Sequence, residues 1–263
     1  MIKFENTQAT GWEAAIRGMR NPMNSWDRSD SKSVCDMEGV ECDSGDRSTF
    51  ILGEADHELA MRLARGGATH AKYRRMITVY VDITAPLYWW KEFDTYKVGT
   101  VSNSCSTMHK LTAKPFELSD FSHDKLVDGA DETLVYIVDR LNYWRELYLA
   151  EDDNDKKKVW WWQMIQLLPS SYNQKRTIML NYEVLSRIYT DRLGHKLDEW
   201  LDFCSWIREL PYQTLVTGER SWWEVSADTF DIVCHACGYT ILGNITSYPA
   251  PKNCPKCGAY MTN

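Results

Sequence analysis

Two Cys-x-x-Cys pairs near the C-terminus constrain this chain more than any other feature. Cys234 and Cys237 are followed, after residues 238–253, by Cys254 and Cys257, a spacing within the range of four-cysteine zinc sites. Two residues between cysteines let one tight turn aim both thiolates at one ion, and two such turns complete a tetrahedron. We therefore predict a linker and a structural zinc ribbon over residues 213–263. Bound iron or a dithiol redox role is the alternative.

The preceding residues, 1–212, have the length and composition of one folded domain. The chain of 263 residues can bury a full core, and its 12 Trp and 14 Tyr argue against disorder. Its net charge of -7 disfavours a nucleic acid partner. No apolar stretch approaches the roughly 18 residues that span a bilayer, and the first residues lack the apolar segment of a secretory signal. We therefore expect a cytoplasmic protein without a membrane partner.

The four cysteines outside the knuckles are scattered through the chain. They are Cys35, Cys42, Cys105 and Cys204. In a reducing compartment we expect free thiols, and a disulfide between Cys35 and Cys42 is the alternative.

Hydrophobic periodicity predicts several helices and one clear strand. Residues 76–83 alternate apolar and polar side chains, which is typical of a strand with one buried face. Amphipathic helices are predicted at residues 11–20, 54–65, 132–149 and 177–209, the last with a bend or an interruption at Gly194. The polar stretch 21–48 is predicted as a long loop, and the charged run 151–158 as a solvated connection between helices. Phosphate binding by residues 156–158 is the alternative for that run.

Several spaced residues between about 53 and 210 resemble the flavin-dependent thymidylate synthases. The opening order is similar: a helix at 54–65, the Gly66-Gly67 stop, His70 in the next turn, and the strand MITVYVDI before Ala85-Pro86. The family signature, Arg-His-Arg-x-x-Ser-x-Asn-Glu-x-Ser-x-Arg-Tyr, aligns with YKVGTVSNSCSTMH at 96–109. Only Asn103 and Ser106 match this signature.

The departures from the signature concern its charged residues. The two Arg positions of the first pair are Tyr96 and Val98, the Glu position is Ser104, and the last Arg position is Met108. Lys97, His109 and Lys110 are the candidates for replacement charge.

A later segment is similar to the family in its spacing. Leu167-Leu168-Pro169 resembles the family's Leu-Pro turn, and it is followed by Asn181 and, eleven positions later, by Arg192. The Arg that the family carries four residues before the proline is Ile165 here. Eleven residues is close to three helical turns, so Asn181 and Arg192 would share one helix face.

The resemblance implies an α+β body with long helices packed on an antiparallel sheet, assembled as a homotetramer. It implies FAD, NADPH and methylenetetrahydrofolate as cofactors and a pyrimidine deoxynucleotide, dUMP, as substrate. The positions that align with the family's contact residues imply cofactor contacts by His70, Tyr96, Asn103 and Asn181, and nucleotide contacts by Ser104, Ser106 and Arg192. The catalytic residue stays unknown. Because the signature is altered, two other hypotheses stay open: a related pyrimidine-nucleotide-binding or -modifying protein, and a zinc-ribbon nucleic-acid-binding or adaptor protein.

Each candidate residue also has an ordinary structural role open to it. Asn181 is equally suited to cap a helix, and Arg192 to form a surface salt bridge. The Tyr96 ring is equally suited to fill core, and His70 and His195 to be satisfied core or surface histidines.

Overall fold

The computed structural model describes residues 2–35, 48–106, 110–218, 230–233 and 240–243. These residues belong to two units. The first combines Met1–Asn24 with Lys72–Leu185, and the second combines Ser25–Ala71 with Ser186–Asn263. The predicted domain boundary near residue 212 stays a prediction.

The described part of the chain contains both strands and helices. In chain order they are β1 (Lys3–Thr10), α1 (Trp12–Arg20), β2 (Lys32–Cys35), β3 (Ser48–Ile51), α2 (Glu54–Arg65), β4 (Thr78–Pro86), α3 (Leu87–Phe93), β5 (Val101–Ser104), α4 (Ala130–Ala150), α5 (Asn154–Leu167), β6 (Asn173–Asn181), α6 (Tyr182–Arg192), α7 (Asp198–Arg208), α8 (Thr214–Thr217), β7 (Phe230–Val233) and β8 (Thr240–Gly243). No helix within these ranges combines the length and the apolar composition needed to cross a membrane.

A four-stranded antiparallel sheet with the order β1-β4-β6-β5 organises the first unit. The predicted strand at 76–83 is confirmed as β4, shifted by two or three residues. The inward side chains of β4, together with Ile77 just before it, are almost fully buried, at 0 or 1% exposure, and those of the strand are Val79, Val81, Ile83 and Ala85. The two-residue period therefore separates a core face from an open face.

Helix α3 packs its aromatic side chains into the core of this unit. Pro86 ends β4 in an extended conformation and begins α3, where Trp89, Trp90 and Phe93 are buried. The Trp90 indole Nε1 donates to the carbonyl of Gln174 on β6 at 3.0 Å. Burying each of these rings stabilises the fold by about 1.5–3 kcal/mol, so α3 is fixed against the strand pair β4–β6.

Helices α4 and α5 pack against each other and enclose a second cluster of the first unit. Buried members of this cluster are Leu111, Phe116, Phe121, Leu134, Val138, Leu141 and Met164. The predicted helix at 132–149 is confirmed as α4. The predicted solvated connection at 151–158 is shorter, because the Asp153 side chain accepts from the backbone N–H groups of Asp155 and Lys156 and so begins α5.

In the second unit, the predicted helix at 54–65 is confirmed as α2. The Asp30 side chain accepts from the backbone N–H groups of Ala55 and Asp56 at its first turn. The Asp56 carboxylate is fully buried and accepts from the hydroxyls of Ser29 and Ser31, each at 2.6 Å. A buried carboxylate needs such donors to offset its desolvation, so these bonds fix the segment before β2 on α2.

The segment after α7 is joined to β3 and α2 within the same unit. The Tyr212 hydroxyl donates to the carbonyl of Phe50 at 3.0 Å and accepts from the backbone N–H of Leu52 at 2.9 Å. His57 Nε2 lies 2.8 Å from the hydroxyl of Thr214 on α8. These contacts fix residues 212–214 well before the cysteine knuckles.

Strands β7 and β8 form an antiparallel hairpin, with Val233 opposite Thr240. All four predicted zinc ligands, Cys234, Cys237, Cys254 and Cys257, lie outside the described residues. Cys42, one of the two cysteines of the alternative disulfide, also lies outside the described residues. Within the described ranges, no group of three His, Cys, Asp or Glu side chains is placed to hold a metal ion. Among the described residues, neither Cys105 nor Cys204 is in a disulfide.

Two of the predictions were wrong in their secondary structure. Residues 177–209 do not form one bent helix, because 173–181 pair with β4 as strand β6 and residues 182–208 are divided into α6 and α7. The stretch 21–48 is not a plain loop, since its described part contains two 3-10 turns and strand β2. The edge strand β1 was not predicted.

Candidate active site

The open face of the sheet collects polar and flexible side chains from β4, β5 and β6. Directly opposite residues of antiparallel strands share a face, and β4 pairs Thr78 with Asn181, Tyr80 with Met179 and Asp82 with Thr177. On the other side of β6, Val101 is opposite Met179 and Asn103 is opposite Thr177. The open face therefore carries Tyr80, Asp82, Val101, Asn103, Thr177, Met179 and Asn181.

The middle of this face is apolar and accessible. Tyr80 is 42% exposed and Val101 is 59% exposed, with the half-buried Met179 between them. Asn103 and Asn181 lie on either side of this row along the strands. Asn181 is four residues beyond the partner of Asn103, which places the two Cα atoms roughly 14 Å apart at the usual strand rise and spacing. The arrangement is a flat apolar floor with an amide at each end.

A carboxylate network lies beside Asn103 on the same face. The Thr177 hydroxyl donates to Asp82 Oδ1 at 2.7 Å, and Asn6 Nδ2 donates to Oδ2 at 3.0 Å. Lys175 Nζ lies 3.4 Å from Asp82 and donates to Glu5 at 3.0 Å. The hydrogen bonds from Thr177 and Asn6 lower the pKa of Asp82 below its usual value. Asp82 is therefore ionised at neutral pH, and this end of the face suits hydroxyl or N–H donors better than a phosphate.

Asn181 ends β6 and caps helix α6. Its Oδ1 accepts from the backbone N–H groups of Glu183 and Val184, each at 3.1 Å. Gly99 comes close to the other end of the amide, since a Cβ built at Gly99 would lie 3.1 Å from Asn181 Nδ2. Gly99 also has a φ of 79°, which non-glycine residues rarely adopt. The turn at residues 97–99 therefore lies close to the Asn181 amide, whose orientation is fixed by its hydrogen bonds to the start of α6.

The other predicted contacts in the first unit are placed differently from Asn103 and Asn181. Tyr96 follows α3 and is 9% exposed, so its ring lies mostly in the core. Ser104 is opposite Arg176, on the face of β5 away from Asn103, and is exposed. Ser106 is half-buried just after β5. Of the positions where the signature carries its first Arg pair, Tyr96 is buried and Val98 is 89% exposed.

His70 and Arg192 belong to the second unit. His70 is exposed, and its ring packs against the backbone of Gly66. Arg192 is the last residue of α6, with its guanidinium carbon 4.4 Å from the centre of the Trp200 ring. The prediction that Asn181 and Arg192 share one helix face was wrong in its premise, because Asn181 is a strand residue that caps the helix.

Sequence reasoning missed the open-face residues Tyr80, Asp82 and Met179, and it placed Thr177 in a helix. The signal that could have found β6 is the run from Thr177 to Asn181, in which Ile178 and Leu180 lie two residues apart between polar residues at both ends. Nothing in the local pattern indicates that Thr177 lies between Asp82 and Asn103, because that depends on strand pairing.

The fold is similar to those of known nucleotide enzymes. Thymidylate Synthase X (ThyX) from Helicobacter pylori, crystallised with FAD and dUMP, superposes with a TM-score of 0.56 at 18% identity, over 83% of this chain and 98% of that chain. A second structure of flavin-dependent thymidylate synthase ThyX from the same organism, complexed with FAD and dUMP, gives 0.56 at 17% identity, over 81% and 99%.

A further similar structure is the UMP/dUMP methylase PolB from Streptomyces cacaoi, bound with 5-Br dUMP. It has a TM-score of 0.51 at 12% identity, over 83% of this chain and 94% of that chain. No protein-family model and no curated protein sequence matches the chain. At these identities the likeness establishes a ThyX-like fold.

Proposed function

We propose that this chain is a divergent FAD-dependent thymidylate synthase-like enzyme. Its reaction would be the reductive methylation of dUMP, with methylenetetrahydrofolate as carbon donor and NADPH as reductant. The observation that carries the proposal is the fold likeness, which spans nearly the whole length of ThyX in two structures that contain FAD and dUMP. In this proposal the chain acts as a homo-oligomer, with a tetramer expected.

The open face fits a flat heteroaromatic ring such as that of a flavin. Val101 and Met179 provide an apolar floor, and the amides of Asn103 and Asn181 provide donors and acceptors for ring edges. The flavin, when bound, would supply the redox chemistry. Asn103, Asn181, Tyr96 and His70 are the proposed cofactor contacts.

Ser104, Ser106 and Arg192 are the proposed nucleotide contacts. Arg192 would bind the phosphate, since a guanidinium offers a fork of donors that matches phosphate oxygens. Neither Tyr96 nor Val98 can replace the cationic donors of the family signature. Losing one donor that stabilises developing charge commonly costs about 3–4 kcal/mol of transition-state stabilisation. Lys97 and Lys110, both exposed, are the described lysines of this segment that could supply charge instead.

A second candidate function is a pyrimidine-nucleotide methylase with different chemistry. The likeness to a UMP/dUMP methylase favours it, and so does the altered signature. A protein of this kind would bind a pyrimidine nucleotide with a different preference for the sugar or the carbon donor.

For the C-terminal segment, 213–263, we keep the proposal of a structural zinc site at the four cysteines. The β7–β8 hairpin supports it, because its strands flank residues 234–239, which include Cys234 and Cys237. Metal analysis of the purified protein should give one zinc per chain, and Cys254→Ser should lose it. A full zinc content in Cys254→Ser would contradict the four-cysteine site.

The flavin proposal is tested by absorbance and by thermal shift. Purified protein should carry a flavin spectrum or gain one when FAD is added, and dUMP should raise its melting temperature. Stabilisation by UMP rather than dUMP would favour the methylase. A colourless protein that neither FAD nor any pyrimidine nucleotide stabilises would overturn the proposal.

A matched pair of variants on strand β5 tests the open face itself. Asn103→Ala removes an amide from that face, whereas Ser102→Ala changes the adjacent side chain on the opposite face. We expect weaker FAD binding for Asn103→Ala and unchanged binding for Ser102→Ala. Equal affinities for both variants would exclude Asn103 as a flavin contact.

A further inference from the structure

The Arg192 side chain is held by a ring and an imidazole of its own unit. Its guanidinium stacks on Trp200, and its Nη1 lies at hydrogen-bond distance, 3.1 Å, from His195 Nε2. Trp200 is fully buried and packs edge-to-face on Phe203, so the ring is a rigid platform. Stacking fixes the plane of the guanidinium, and the hydrogen bond fixes its rotation within that plane.

A tight turn after α6 brings His195 to Arg192. Gly194, with a φ of 78°, ends the helix in the left-handed conformation, and the backbone N–H of His195 then donates to the carbonyl of Arg192 at 3.0 Å. The imidazole thus folds back over the residue three positions earlier, and its ring lies edge-on to Trp200.

The imidazole must be neutral to accept from Arg192. The backbone N–H of Leu197 lies 3.2 Å from His195 Nδ1, so a donor faces each ring nitrogen. A neutral ring carries one proton and accepts at one nitrogen only. The charge of the guanidinium strengthens its hydrogen bond relative to that of an amide, which favours acceptance at Nε2. His195 then acts on Arg192 as an acceptor.

We propose that His195 and Trp200 are positioning residues that hold the Arg192 guanidinium in one orientation for the phosphate of a nucleotide. This inference rests on the proposed function, because it takes Arg192 as the phosphate contact. A long side chain that is already immobilised loses less conformational entropy on binding, so a held arginine binds phosphate more tightly than a mobile one.

The phosphate contribution to binding is the ratio of the dissociation constants of deoxyuridine and dUMP, measured by calorimetry. In the wild type we expect dUMP to bind at least tenfold more tightly, as for a charge-assisted hydrogen-bond pair. Arg192→Ala should lower this ratio to about one. His195→Ala should lower it by about three- to tenfold while leaving the affinity for deoxyuridine unchanged, and His195→Gln, which keeps an acceptor, should restore part of it.

Two further variants complete the design. Gly194→Ala strains the turn without changing either partner and should also lower the ratio. Arg187→Ala is the matched control, since it removes a largely exposed arginine from the same helix and should leave the ratio unchanged.

The outcomes separate this inference from the function on which it rests. A wild type that binds dUMP no better than deoxyuridine overturns both. If the wild type prefers dUMP but His195→Ala keeps the full ratio, or loses affinity for both ligands equally, the positioning role alone is overturned.

Discussion

Asn181 has two separable tasks, and one pair of substitutions distinguishes them. Its Oδ1 accepts from two backbone N–H groups at the start of α6, whereas its Nδ2 is directed to the 97–99 turn. Asn181→Ala removes the cap, which costs about 1 kcal/mol. For a protein of this size, that loss lowers the melting temperature by about 2–4 °C. Asn181→Asp keeps the acceptor and adds a negative charge at a helix N-terminus, so its stability should stay within about 0.5 kcal/mol of the wild type.

The two variants should differ less in ligand binding than in stability. Each lacks the Nδ2 donor, so each should bind FAD or dUMP roughly tenfold more weakly if that donor contacts the ligand. The unfolding free energy is measured by urea denaturation, and binding by quenching of flavin fluorescence. Asn173→Asp is the control, because it adds the same charge at the far end of β6 and keeps the acceptor for Ser122.

Two results would refute this reasoning, one for the ligand contact and the other for the helix cap. Wild-type affinity in Asn181→Asp would mean that Asn181 is a helix cap and nothing more. Wild-type stability in Asn181→Ala would mean that the two hydrogen bonds do not stabilise α6.

Three further predictions concern a buried carboxylate, a glycine with a positive φ and a carboxylate on the open face. Asp56→Ala should lower the unfolding free energy by about 2–4 kcal/mol, because it leaves buried donors without their acceptor; Glu58→Ala, an exposed carboxylate on the same helix, should change the urea midpoint little. Gly99→Ala should lower the unfolding free energy by about 1 kcal/mol because of the positive φ at this position, and it should weaken FAD binding because the new methyl group displaces Asn181. Calorimetry that shows an unchanged affinity for FAD would contradict the close approach of Gly99 to Asn181. The folded-state pKa of Asp82 is lowered, so its stabilising contribution is present above its unfolded pKa, 3.8, and is lost as the pH falls through the folded value. Urea unfolding between about pH 6 and 2.5 should therefore show a shallower acid loss for Asp82→Asn, and parallel curves would contradict it.

The sequence pattern predicted correctly those helices and strands that keep one face buried along their whole length. The alternation at 76–83 is strict because β4 is a central strand with a core on one side. The helix at 54–65 carries its own stop signal at Gly66. Segment 177–209 was assigned wrongly because Leu180, Val184 and Ile188 have helical spacing by coincidence of a strand and the helix that follows it.

The candidate site could be predicted only in part. Asn103 and Asn181 were identified from a family resemblance, but their common face follows from the register of β5 on β6, which connects residues more than seventy positions apart. The contribution of Asp82 depends on the same long-range pairing. The contact of His195 with Arg192 is local, yet it depends on the left-handed conformation of Gly194, where the sequence predicts a bend or an interruption of the helix but not this contact.

Alternate residues of strand β6 lie in the core and on the open face, and this arrangement has an evolutionary consequence. Gln174, Ile178 and Leu180 are buried, whereas Lys175, Thr177, Met179 and Asn181 are on the opposite side. Apart from Asn181, which caps α6, substitutions in the second group can alter ligand preference with a smaller loss of stability than substitutions of the buried residues, so ligand preference can change while the fold is kept. Inserting or deleting a single residue would exchange the two groups, exposing the hydrophobic set and burying the polar one. We therefore expect relatives of this chain to vary in residue identity along β6 and to keep its length.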